Sequence, residues 1–304
     1  MPPELTDLTE QLLSRPRQAL GIPIAIVGAV FLSLGAQFQH RGVSKVEEHH
    51  SDEVPGLSMR QLMILLRRPA WVVGTILLGL AIVLQLTSLR FSPLIVVQPL
   101  GAIALVITAV LNARLSRVRL NKRTIRAIIL CVGGVGIFVT IAAFTAVDVV
   151  VDESHLITIL VILALVFAAF LVAFLLLRHH ISAVIYIIGA GVLYGFVATL
   201  AKVVINRLVQ GDFEWLTLTC LAGLLAAGGL GAYFVQTAYS AGPPDLVIAG
   251  LTVIDPMVAV GIGVIVLGEA AAAPLYAVVA FVIAGAIAVY GVFDLSKHHP
   301  QVRR

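Results

Sequence analysis

Runs of about 20 apolar residues, each the length of a bilayer's hydrocarbon core, succeed one another along most of the chain. They fall at 20–43, 69–90, 92–113, 124–144, 155–177, 181–205, 214–239, 245–268 and 272–293. No water is available in hydrocarbon to pair backbone N–H and C=O groups, so segments of this kind have to be helices. The class is therefore an all-α polytopic membrane protein with about nine transmembrane helices. Composition agrees: 60% of residues are hydrophobic and 12% charged, with mean hydropathy +1.06, which no ordinary soluble domain shows. The segment 1–19 is polar and mixed in charge, carries Arg15-Pro16-Arg17, and reads as an N-terminal soluble tail rather than a signal peptide. Cys131 and Cys220 lie inside apolar runs, form no metal or redox motif, and read as packing residues.

Orientation follows from lysine and arginine in the loops. Between the third and fourth runs lie Arg114, Arg117, Arg119, Lys122, Arg123 and Arg126 with no acid, while the next loop carries Asp148, Asp152 and Glu153 with no base. The first of these is expected to be cytoplasmic. Alternation then places Arg60, Arg67 and Arg68, the Arg178-His179-His180 loop, and the 294–304 tail with Lys297, Arg303 and Arg304 on the same side. The expected arrangement is a multi-pass plasma-membrane protein with its N-terminus outside and its C-terminus cytoplasmic; Arg15 and Arg17 run against it. The basic surplus, pI ≈ 9.3, sits in loops flanking spans, where anionic lipid headgroups explain it better than nucleic acid. The linker 44–68 holds the most polar run, Glu47, Glu48, His49, His50, Asp52 and Glu53. Its end, Ser58 to Arg68, reads either as a cytoplasmic connector or as a short interfacial helix.

One acid stands inside an apolar run, followed by a proline: Asp255-Pro256. A charge near the bilayer centre costs roughly 2.5–3.5 kcal/mol on insertion scales, so it faces a protein interior or a water-filled path. Proline has no N–H and frees a carbonyl one turn earlier, an arrangement with which transporters line solute and ion sites. Asp255 is thus a candidate for a substrate or proton pathway; the competing reading is a carboxylate fixed by a neighbouring helix.

Spacings repeat. Pro99 follows Gln98 in the third run and leads, thirteen residues on, to Asn112; Pro256 follows Asp255 in the eighth and leads at the same spacing to Glu269. Gly28 and Gly189 are each followed thirteen residues later by a cation, Arg41 and Lys202, and the runs before the two polar-proline pairs each carry an amide, Gln85 and Gln236. Corresponding helices stand five places apart in the order of spans, so the halves are expected to have inverted topology, a first repeat over 20–177 and a second over 178–293. Pro99 and Pro256 are the expected helix kinks. Gln98, Gln37, Gln39, Gln85 and Gln236 are candidates for the pathway wall, with helix–helix glue as the alternative. Lys202 and Arg41 either meet an anionic group or snorkel to headgroups. Tyr194 and Tyr233 either stack on substrate or anchor at the interface, and Tyr239 reads as an anchor.

The clusters Gly133-Gly134-Val135-Gly136 and Gly228-Gly229-Leu230-Gly231 lack the strand, lysine and hydroxyl of a phosphate cradle and read as close helix packing. His49-His50, His179-His180 and His298-His299 are adjacent pairs, which do not converge on one ion. No metal site, cofactor or catalytic set is expected, so the chain does not read as an enzyme. Expected partners are a small-molecule or ion substrate, the lipid bilayer and, as an option, a second copy in a homodimer.

Several motifs carry a family resemblance over most of 20–293. Thr237-Ala238-Tyr239, Gly242-Pro243-Pro244, Asp255-Pro256 and Leu267-Gly268-Glu269 resemble an EamA-type repeat of the drug/metabolite transporter superfamily. Arg68-Pro69-Ala70-Trp71, Phe91-Ser92-Pro93-Leu94 and Gln98-Pro99-Leu100-Gly101-Ala102 resemble its NIPA-type, magnesium-transporter-like branch. The chain departs from the pattern at Asn112, where the superfamily often has glutamate. The resemblance implies two repeats that enclose a central cavity, and a secondary transporter working by alternating access. A metabolite or drug exporter, proton-coupled through Asp255, leads the expectations, because one intramembrane carboxylate is few for magnesium. A NIPA-like divalent-cation transporter and a non-transporting membrane scaffold are the alternatives.

Overall fold

A computed structural model describes residues 16–47, 67–115, 121–146, 151–177, 183–211, 214–242, 244–271 and 273–297. Among them the regular structure is helical: α1 (Pro16–Glu47), α2 (Pro69–Phe91), α3 (Leu94–Leu100), α4 (Ala102–Leu115), α5 (Lys122–Thr145), α6 (Glu153–Leu177), α7 (Ala183–Gln210), α8 (Trp215–Ala241), α9 (Pro244–Ile265) and α10 (Leu275–Lys297). Nine spans among the described residues are long and apolar enough to cross a membrane, with α3 and α4 sharing the third, Leu94–Leu111. Helix α1 starts at Pro16, where a missing N–H costs nothing, so it crosses the expected tail boundary at residue 19. Most of the 44–68 linker, the histidine pairs, most of the basic loop after α4 and both ends of the chain lie outside the described residues.

Local chemistry sets several helix starts. Asn121 Oδ1 accepts from the N–H groups of Arg123 (2.6 Å) and Thr124 (3.0 Å) at the head of α5. Asp152 does the same for α6, accepting from Ser154 Oγ (2.7 Å) and His155 N (3.0 Å). Those bonds, the Ser154 hydroxyl first, hold its exposed carboxyl below the usual range by favouring the charged form.

Four helix pairs make the closest contacts: α1 with α2, α7 with α8, α5 with α10, and α7 with α9. In lipid there is no hydrophobic drive between helices, so small residues that let backbones approach take its place. A Cβ on Gly134 of α5 would stand 2.5 Å from the Ala288 nitrogen of α10, and one on Gly291 of α10 would strike the Cys131 nitrogen. The glycine clusters thus divide: Gly134 is a contact point, while Gly133, Gly136 and Gly229 face open space. Helix α6 is peripheral and docks through one stripe, Leu156, Ile159 and Leu163. Phe234 of α8 is stacked edge-on by Phe170 of α6 (5.4 Å) and Tyr186 of α7 (5.7 Å), tying those three together.

The short helix α3 is the opposite of α6. Leu94, Ile95, Val96, Val97, Gln98 and Leu100 are all buried, so it is enclosed on every side, as expected of a helix apolar all round. It packs against α1, α5 and α9. Gly101, whose N–H reaches the carbonyls of Gln98 and Pro99, separates it from α4.

Candidate functional site

The enclosed start of α3 poses a problem that the rest of the molecule solves. A helix leaves its first N–H groups without intrahelical partners, and the residue at the cap here is Pro93, which has no side-chain acceptor. The preceding helix ends at Ser92 in extended conformation, and no solvent reaches the buried amides of Leu94 and Ile95. Glu269 supplies the missing acceptor from 175 residues away. Its Oε1 accepts from Leu94 N and its Oε2 from Ile95 N, both at 2.9 Å. Lys202 of α7 completes the arrangement, with Nζ 2.9 Å from Glu269 Oε1 and 3.4 Å from the Ser92 carbonyl. Both charged side chains are fully buried, Lys202 at 1% and Glu269 at 1% exposure. A carboxylate at a helix N-terminus is also favoured by the helix dipole.

The turn after α9 brings Glu269 there. Gly268 adopts φ +69°, a left-handed conformation natural to glycine, and the chain folds back so that Glu269 N–H donates to the Gly263 carbonyl at 2.9 Å. Gly263 itself has no room for a side chain, since a Cβ would lie 2.7 Å from Glu269 Oε2.

Asp255 is placed differently. It is half-buried on α9, and its Oδ1 is buried with no hydrogen-bond partner among the described residues. It sits beside the α7–α9 contact, where a Cβ on Gly191 would meet Ile254 Cβ at 2.6 Å and the Asp255 nitrogen at 3.4 Å. Tyr194, one turn along α7 from Gly191, is half-buried and packed against Gly231 of α8. Helix α9 runs through Pro256 without interruption, whereas the helix breaks two residues after Pro99. The two prolines meet at one apolar cavity of about 100 Å³, whose lining includes Pro99, Phe138, Thr252, Pro256, Met257 and Val289 but neither Asp255 nor Gln98.

The other sequence candidates scatter. Gln98 is buried on α3, Gln37 and Gln85 are half-buried on α1 and α2, and Gln236 is exposed on α8. Gln39 bonds Thr75 Oγ1 across the α1–α2 contact at 3.0 Å, which is helix–helix glue. Lys202 neither snorkels nor stands free; Tyr233 and Tyr239 are exposed. The side chains of Arg41 and Asn112 lie outside the described residues. What sequence reasoning missed is the union of Lys202 and Glu269, each noted only as a member of a thirteen-residue spacing. The signal that would have joined them is the Ser92-Pro93 break, whose orphaned amides call for a distant anion. Among the described residues no group of three histidine, cysteine or acidic side chains converges.

Comparison with known proteins now bears on this arrangement. The family described as magnesium transporter NIPA matches residues 17–211, from the start of α1 to the end of α7. An uncharacterized protein of Corynebacterium glutamicum is 27% identical over 252 residues, covering 82% of this chain and 85% of its own. No solved structure matches. The family match spans more than half of the 304 residues, and the chain is a multi-pass membrane protein that belongs to the magnesium transporter NIPA family.

Proposed function

We propose that the protein carries a divalent cation, magnesium first, across the bilayer by alternating access, along a path that passes Asp255. The family membership carries the choice of cargo, reversing the order that counting carboxylates suggests. The physical objection to magnesium was that one carboxylate is too few. It applies to a storage cage, not to a transit site: magnesium dehydrates reluctantly and is commonly held by one or two carboxylates with its waters retained. Asp255 supplies one charge and an uncommitted oxygen. Pro256 leaves the Thr252 carbonyl without its helical N–H partner, and Tyr194 stands one turn along α7 from Gly191, where α7 meets the Asp255 backbone. An oxygen set of this kind binds weakly enough to release.

The pairing of α1 with α2 and of α7 with α8, together with the Gln98-Pro99 and Asp255-Pro256 correspondence, supports two inverted repeats, with the second half EamA-like. The loop charges support a cytoplasmic C-terminus. A second reading, proton-coupled export of a small apolar solute, is favoured by the apolar cavity between the prolines.

The test is magnesium influx into liposomes holding the purified full chain, followed with an internal indicator. Wild type should show saturable influx, and Asp255→Asn should lower it by about tenfold or more at unchanged protein incorporation. Flux that ignores magnesium but follows a pH gradient selects the exporter. No flux of any solute, with Asp255→Asn altering only folded yield, returns the chain to a scaffold.

A further inference from the structure

The buried Lys202–Glu269 pair lies outside the transport site just proposed, and its construction is unusual for a static joint. Apolar side chains of similar volume would hold the same three elements as well or better, because desolvating two charges roughly cancels their attraction. What charges add is a joint that is all-or-none in geometry. This one clamps the head of α3, a helix of seven residues that starts at the extended Ser92-Pro93 step and, just past Pro99, is parted from α4 at Gly101, whose backbone stays in the helical region. Such a segment has the dimensions of a short lever. Besides its packing against α1, α5 and α9, its head is held by Glu269 through the Leu94 and Ile95 amides, with Lys202 reaching the Ser92 carbonyl behind it. At its tail Pro99 and, just past Gly101, Ala102 line the cavity shared with Pro256, next to Asp255 on α9, and Thr252, one turn before it.

From this geometry we propose that Lys202 and Glu269 are positioning residues of the transport cycle: a releasable clasp that holds the α3 lever in the access state described here. Release of Glu269 from the Leu94 and Ile95 amides lets α3 swing and changes which side reaches Asp255. Neither residue touches the cargo. The inference rests on the reading of the chain as a transporter, and it deepens that reading by naming the element that moves.

Two variants of the full chain in liposomes separate a clasp from a strut. Lys202→Met with Glu269→Gln removes both charges together and leaves no buried charge unpaired. Lys202→Arg keeps the ion pair and strengthens its grip, since a guanidinium can engage a carboxylate through two hydrogen bonds. A clasp predicts that each changes maximal influx by about fivefold or more while the apparent magnesium KM stays within about twofold, because positioning and not cargo binding is altered. A second readout needs no cargo. Leu94→Cys, at a fully buried position of the α3 head, should react with a maleimide about tenfold faster in the double variant than in the wild-type background, as the clasped state loses about 1.4 kcal/mol of preference. Should the double variant not fold, the Lys202→Arg rate decides alone. Wild-type maximal influx in the variants that fold, together with unchanged Leu94→Cys reactivity, overturns the clasp. If wild type moves no magnesium, the cargo proposal fails while the cysteine comparison still decides whether α3 is released.

Discussion

Asp255 and Glu269 belong to one stretch of chain, α9 and the turn behind it, and they are treated in opposite ways. Glu269 is fully enclosed, and both its oxygens are committed, to two backbone amides and an ammonium. Asp255 is less enclosed, yet one of its oxygens is buried with nothing to accept from. The difference teaches what a carboxylate in an apolar protein is for. One with every lone pair spoken for joins elements that the chain cannot join locally. One left with a buried, unpaired oxygen is a standing cost, tolerable where a ligand or proton comes to meet it. Unfolding experiments on variants put that contrast at risk.

The largest effect belongs to the committed acid. Lys202→Met should cost about 3–5 kcal/mol, the usual result of stranding a buried charge. Denaturant titration of the protein in detergent, or its melting temperature, would show the loss directly. A variant as stable as wild type would mean that Glu269 is not paired as described, and the contrast with Asp255 would collapse.

Next comes the room made for that acid. Two glycines on α9 serve as probe and control. A methyl group on Gly263 would stand 2.7 Å from Glu269 Oε2 and 3.3 Å from Leu94 Cβ, whereas one on Gly261 meets nothing within 4 Å. Gly263→Ala should therefore cost about 1–3 kcal/mol through overpacking. Gly261→Ala should be neutral or gain up to about 1 kcal/mol from the better helix propensity of alanine. Equal responses at the two positions would show that the Glu269 carboxylate is not pressed against α9.

How far all this could be read in advance differs between fold and site for a physical reason. The nine spans were legible because the bilayer imposes one length and one polarity on every crossing helix, and runs such as 155–177 announce themselves residue by residue. The equal spacings after Pro99 and Pro256 are plain in the sequence, but that the two prolines line one cavity is not. What spacing does not carry is the identity of neighbours across helices. Lys202 lies near the end of its run, where a long cation ordinarily snorkels, and only the fold shows that the head of α3 lies beside it. Gln236, matched to Gln85 by position, turns out exposed, because a repeat in sequence does not fix which face of a helix meets its neighbours. The interruption of the third span at Gly101 follows Pro99, a kink that the sequence does announce; what spacing leaves out is that the piece before it is a separate short helix enclosed on every side.

The smallest stability effect is expected at the uncommitted acid, and it sharpens the comparison most. Asp255→Asn keeps the shape of the side chain and removes the charge. Oδ1 has no hydrogen-bond partner among the described residues to lose, and burying an amide is cheaper than burying an anion. Folded stability should stay within about 1 kcal/mol of wild type or rise, even as magnesium influx falls. That combination, function lost and fold untouched, is the opposite of what Lys202→Met should give. A loss beyond about 2 kcal/mol in Asp255→Asn would instead place Asp255 with Glu269 among the residues that hold helices together. The path for the cation would then have to be sought elsewhere in the bundle.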